Sequence, residues 1–316
     1  MTGRPKVGAT VGTTTDAIGA RPRLAAVVGA TFIAFSGIFF TYSGQSPSTA
    51  TVFRCLLALP FLALLVVGED RRFGSRSRRE RGLAVAAGVC FAVDLISWQH
   101  AVILVGAGLA TVVANFQVVV VAVLSWALLG ERPSRRLAAG VPLVLVGAVL
   151  ISGVVDSGAY GIDPGLGVIF GLIAAVAYSG FLILIRQGNR AGQRTWGSLF
   201  DASATAGVAA ILAGLAIGDL DLTPGPAALG WLLVVALTSQ VAGYGLINLS
   251  LPRLPAAVTS VLLLVQPVVT VVAAAILLGE RPSTLQLVGV AALLVGVVIA
   301  AGPRRGQATS AEPLSQ

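Results

Sequence analysis

Charge is what this chain has least of. Only 11% of its 316 residues are Asp, Glu, Lys or Arg, against roughly 25% in a soluble protein. That is too little polar material to cover a water-facing surface, so a pair of soluble domains, which the length alone would allow, is excluded. Cysteine is almost absent as well. Cys55 and Cys90 both lie in apolar stretches, so neither a disulfide framework nor a metal site is expected. There is one histidine, His100, and no His/Cys/Asp cluster at metal-ligating spacing. Nor is there a Gly-x-Ser-x-Gly elbow or a Gly-x4-Gly-Lys-Ser/Thr phosphate loop. The expectation is therefore no enzyme, no cofactor and no metal.

What the chain does have is apolar. AVILMFWYC residues make up 56%, with 38 glycines beside them, and the mean hydropathy is +0.92. The apolar stretches are continuous rather than alternating, which predicts an all-α integral membrane protein and not a barrel. The bilayer is its first partner. At about 20 apolar residues per span, ten spans fall near 24–42, 48–67, 83–103, 107–129, 136–153, 165–185, 197–217, 227–249, 256–278 and 285–302. The first run is too long for the apolar core of a cleaved signal peptide. Residues 1–23 read as a disordered basic tail and 303–316 as a second tail.

The net charge of +8 is a topology signal and does not point to nucleic acid. With the N-terminus in the cytoplasm and the spans alternating, 19 of the 21 Lys and Arg residues fall on the cytoplasmic side. Arg281 alone lies outside, and Arg54 lies within a span, while Asp156, Asp163, Asp219 and Asp221 occupy outer loops. Such a bias predicts cytoplasmic N- and C-termini and an even number of spans. One lysine against 20 arginines, with abundant Ala, Gly and Val, points to a GC-rich bacterial source and hence to the inner (plasma) membrane.

The chain also repeats itself. Leu128-Leu129-Gly130-Glu131-Arg132-Pro133-Ser134 recurs as Leu277-Leu278-Gly279-Glu280-Arg281-Pro282-Ser283, an offset of 149. Held over 107–153 against 256–302, that offset gives 20 identities in 47 positions, among them Gln117/Gln266, Gly140/Gly289 and Gly147/Gly296. Two five-span halves follow, 24–153 and 165–302, joined by an outer connection at 154–164. An odd number of spans per half makes the two copies face opposite ways. Inverted repeats are a transporter signature, because mirrored halves can exchange shapes around one shared site.

Ten spans in two halves, each with a Gly-Glu-Arg-Pro-Ser turn closing its fourth span, resemble the drug/metabolite transporter superfamily. Within it the chain is similar to the EamA-type transporters over about residues 24–302. The resemblance implies export of small metabolites, often amino acids or hydrophobic compounds, and leaves the compound open.

Ionisable side chains at membrane depth single out candidate site residues. Asp94 lies roughly 17 Å into the third span and Arg54 roughly 10 Å into the second from the opposite face, at 1.5 Å per residue. In a core about 30 Å thick the two depths nearly coincide, and an Arg54–Asp94 pair is expected. It reads either as a structural ion pair or as a charge site for a zwitterionic substrate or a coupling proton. Gln117 and Gln266, repeat mates near the midplane, are expected in a central cavity, with interhelical packing glue as the alternative. Asn115, Gln240, Tyr178 and Tyr244 are lesser candidates at mid-depth. Trp98 joins them with an interfacial anchor as its alternative. Glu131 and Glu280 read as structural helix stops.

With no ATPase motif, the driving force must be a gradient. The expected function is a secondary transporter, in the exporting direction, working by alternating access on a small organic solute. A passive facilitator is the alternative. A lipid-processing enzyme is more remote, since it would need a reactive side-chain set at one membrane face.

Overall fold

The computed structural model describes residues 21–129, 135–152, 155–188, 195–250 and 262–301. The N-terminal tail to residue 20, the first Gly-Glu-Arg-Pro-Ser turn, Arg190, Arg194, Arg253 and the C-terminal tail from residue 302 lie outside the described residues. Every regular element among the described residues is a helix. In chain order these are α1 (Pro22–Ala34), α2 (Ser36–Ser43), α3 (Pro47–Phe73), α4 (Arg78–Val105), α5 (Ala107–Ala114), α6 (Gln117–Leu129) and α7 (Arg135–Ile151). They continue with α8 (Pro164–Gly188), α9 (Thr195–Ile217), α10 (Pro226–Val235), a π-helical stretch (Ala236–Gly243), α11 (Tyr244–Ser250), α12 (Val265–Leu277) and α13 (Thr284–Ala301).

Six helical runs are long and apolar enough to cross a membrane: Pro22–Ser43, α3, α4, α8, α9 and Pro226–Ser250. Four shorter apolar helices occupy the remaining stretches expected to span. Large apolar side chains face outward, including Leu64, Leu212 and Ile276 at 74%, 65% and 75% exposure. A surface of that kind is stable only when hydrocarbon covers it. Helix starts carry the local chemistry that stops a chain and restarts it. Ser46 caps α3 by accepting from the Thr49 N–H, and Ser77 and Glu80 form a capping box on α4.

Four helical runs are interrupted within the described residues. Phe35 separates α1 from α2, and Asn115 and Phe116 separate α5 from α6. A π-helical stretch precedes Tyr244, and Leu264 forms a turn before α12. Leu264 is the repeat mate of Asn115 at the offset of 149, so both halves interrupt their fourth run at the same register. At the first of these the backbone tightens to three-residue hydrogen bonds, Asn115 N–H to Val112 and Phe116 N–H to Val113 at 3.1 and 2.9 Å. Hydroxyls from neighbouring helices lie against carbonyls beside the breaks. Thr270 Oγ1 lies 2.9 Å from Ala34 O, and Ser179 Oγ lies 3.3 Å from Gln117 O.

Glycine stripes bring two equivalent helices together. A Cβ on Gly147 would meet the Gly289 carbonyl at 2.7 Å, and one on Gly289 would meet the Gly147 carbonyl at 2.8 Å. One on Gly296 would meet the Gly140 carbonyl at 2.9 Å. Gly140 is the mate of Gly289, and Gly147 of Gly296. The helices α7 and α13 therefore pack antiparallel through self-equivalent positions, as a two-fold axis between inverted copies requires.

Both ends of the bundle are tied by acids seated on helix N-termini. At one end, Glu69 late in α3 accepts from the N–H groups of Trp196 and Gly197 at the start of α9 (2.8 and 3.0 Å). Arg76 pairs with Asp201 nearby at 2.8 Å. At the other end, Asp219 after α9 accepts from the Ser48 N–H at the start of α3 (3.3 Å), and its carbonyl takes the Ser46 hydroxyl. Thus α3 and α9, equivalent in the two halves, are clamped to each other twice by the same device. Orphan N–H groups and the positive end of the helix dipole both favour a carboxylate there.

Candidate functional site

A small cavity of about 50 Å³ lies where the interrupted helices meet. Arg54 from α3 and Asp94 from α4 supply its charge, and Trp98, Tyr178 and Tyr244 its aromatic walls. Asn115, Gln117 and Gln266 line it from the two equivalent breaks, with Ser36 and Thr111 adding hydroxyls. Elements of both halves contribute. The sequence candidates Arg54, Asp94, Trp98, Asn115, Gln117, Tyr178, Tyr244 and Gln266 are all brought together there. Gln240 is not in the lining; it stands behind Arg54 in the π-helical stretch.

The expected contact between Arg54 and Asp94 is absent. Arg54, 2% exposed, directs Nε to Gln240 Oε1 at 3.1 Å and Nη2 to Ser239 Oγ at 2.9 Å. Its guanidinium carbon sits 5.8 Å from the Tyr244 ring centroid, within cation–π range. Gln240 is itself held, its Nε2 donating to Ser203 Oγ at 2.8 Å. Among the described residues the two charges form no ion pair, although both open onto the same space. Depth along a helix is readable from sequence, whereas the direction in which the side chain leaves the helix is not. Gln240 and Ser239, one turn of π-helix, capture the guanidinium first.

The polar lining is only partly self-satisfied. Asn115 Nδ2 donates to Thr111 O at 2.8 Å. Gln117 Oε1 is buried and has no hydrogen-bond partner among the described residues, which is costly for an acceptor unless something else visits it. Trp98 is 8% exposed and its ring packs on Gly37, so it is a wall of the cavity and not an anchor at the membrane surface. His100 stacks on Phe170 with 4.9 Å between ring centroids. Towards the Glu69 end the cavity rests on an aromatic cluster. Phe91 stacks on Phe181 at 4.6 Å and meets Tyr244 edge-on at 5.2 Å, and Tyr178 stacks on Phe181 at 5.6 Å.

Glu280 was read from the sequence as a helix stop, and the fold gives it a larger place. Its carboxylate is 5% exposed and accepts from the N–H groups of Ala107 (2.6 Å) and Gly108 (3.1 Å) at the start of α5. Burial pushes the carboxyl above the usual carboxylate range, and the Gly108 and Ala107 N–H groups draw it back. Beside it, Ser283 donates to Asp156, whose carboxyl lies below the usual range because of that hydroxyl and the Gly158 N–H. The only sequence signal was the repeated Gly-Glu-Arg-Pro-Ser itself, since the partners lie more than 170 residues away.

Comparison with known proteins fits this picture. A curated Bacillus subtilis protein named uncharacterized transporter YwfM is 26% identical over 295 residues, covering 90% of this chain and 97% of that protein. A solved crystal structure 15% identical in sequence shares the fold with a TM-score of 0.62, over 89% of this chain and 96% of that one. The sequence profile of the EamA-like transporter family matches twice, over residues 22–153 and 165–302. An inverted pair of apolar helical halves around one polar cavity, matched by that profile along nearly its whole length, belongs to the EamA-like transporter family.

Proposed function

We propose that this protein is a secondary transporter that exports a small zwitterionic metabolite of amino-acid type from the cytoplasm by alternating access. The observation that carries the reading is a basic and an acidic side chain, Arg54 and Asp94, that line one cavity without pairing. A substrate carboxylate fits the exposed side of the Arg54 fork. Its ammonium group fits Asp94 and the unpartnered Gln117 Oε1. Trp98, Tyr178 and Tyr244 offer apolar faces to the remainder of the molecule. In this reading all ten apolar segments span the inner membrane, and both termini are cytoplasmic. The Glu69 end then faces the cytoplasm, and the Glu280 end faces outward, in keeping with the arginine count.

A carboxylate that meets the substrate ammonium is also placed to exchange a proton with it, which makes Asp94 the candidate coupling group. The passive alternative leaves Asp94 as a binding group only. Transport in membrane vesicles separates them. We expect Asp94→Asn to lose the component of transport that follows an imposed pH gradient. Transport that keeps its full gradient dependence in that variant would leave Asp94 with no coupling role.

A further inference from the structure

We propose that Glu280 is a latch that holds the cavity shut at its own end of the bundle, and that the cavity opens there only when the carboxylate leaves the α5 N-terminus. The inference rests on the transport reading above. Helix α5 is one short rod of eight residues. At one end it breaks from α6 at Asn115 and Phe116. At the other its first N–H groups are held by Glu280 from the opposite half of the molecule. Between these points it presents Thr111 and Ala114 to the cavity. A rod hinged at the cavity and pinned at its far end is a wall that swings when the pin is withdrawn.

The backbone around the pin is shaped for a carboxylate. Gly106 has φ +90°, and a Cβ on it would stand 2.8 Å from the Glu280 carboxyl carbon. A Cβ on Gly108 would stand 3.1 Å from Oε2. Gly-Ala-Gly at 106–108 therefore admits the acid where other residues would expel it. The pin is bistable because a buried carboxylate loses two charge-assisted hydrogen bonds on leaving but regains water. Its surroundings travel with it. Gln286, fully buried, joins the turn at Ser283 to the backbone of Tyr160 and Ile151, and the Tyr42 hydroxyl donates to Leu277 O. By contrast, the α3–α9 pair is clamped at both ends and forms the fixed frame.

The test is side-specific labelling of a cysteine in the cavity, in the full-length protein with Cys55 and Cys90 replaced by alanine and Ser36→Cys introduced. A membrane-impermeant methanethiosulfonate is applied to right-side-out and to inverted vesicles. Glu280→Ala is expected to raise the labelling rate at least tenfold in right-side-out vesicles without raising it in inverted ones. Glu280→Gln, which keeps one acceptor oxygen, should fall between that variant and its parent. An unchanged rate in both variants would overturn the latch. So would a rise from both sides, which reports general loosening, or a rise from the cytoplasmic side alone. No substrate enters the measurement, so a protein that labelled as expected and carried nothing would sink the transport reading and leave the latch standing.

Discussion

At the scale of single residues, the arginine at membrane depth governs the site. A guanidinium taken out of water is tolerated only where its donors are met, and Gln240 with Ser239 meets two of them. Gln240→Leu should therefore destabilise the protein by about 2 kcal/mol, the size of a hydrogen bond to a charged group. Thermal unfolding in detergent would register the loss, and an unchanged midpoint would mean that Arg54 finds other partners. The sequence made Arg54 and Asp94 visible because charges are rare in this chain. It also put them at matching depth, because rise per residue is fixed. Their separation was not legible, since it depends on a π-helical stretch at 236–243 that turns Ser239 and Gln240 onto Arg54. Trp98 was legible as a candidate at its depth, but its nearness to a span end left an interfacial anchor open as the alternative, and only the helix packing buries it against Gly37.

At the scale of elements, helices α7 and α13 carry the symmetry of the molecule in four glycines. Gly147 and Gly296 are mates, and each admits the opposite helix to within van der Waals contact of its backbone. Gly147→Ala and Gly296→Ala are predicted to destabilise by similar amounts, about 1–3 kcal/mol each, as overpacking of a filled interface does. Comparison of the two unfolding midpoints checks this, and an effect confined to one of them would contradict equivalent packing. The spacing of these glycines was plain in the sequence, and so was the repeat that pairs them. The breaks were only half visible. Pro267 marks the neighbourhood of the one at Leu264, while only the Ser36-Gly37 pair beside Phe35 hints at the separation of α1 from α2. Glu280 was the largest omission. Its motif looked like a local stop, and only the closed fold brings it to Ala107 and Gly108.

At the scale of the whole molecule, a fixed frame and a movable wall surround one charged cavity. The helices α3 and α9 are tied at both ends, α7 and α13 pack glycine to glycine, and the interrupted helices between them bring Arg54, Asp94, Gln117 and Gln266 to a single space. The central claim is that this space carries a small zwitterion across the membrane, and transport tests it most directly. A labelled amino-acid and metabolite panel would be offered to inverted vesicles holding the wild-type protein, Arg54→Gln or Asp94→Asn, with and without a proton gradient. The account predicts gradient-dependent accumulation of one class of zwitterionic compound by the wild type. It further predicts a loss of at least tenfold in Arg54→Gln that remains correctly inserted, and loss of gradient dependence in Asp94→Asn. Accumulation of that class at the wild-type rate by both variants would contradict it.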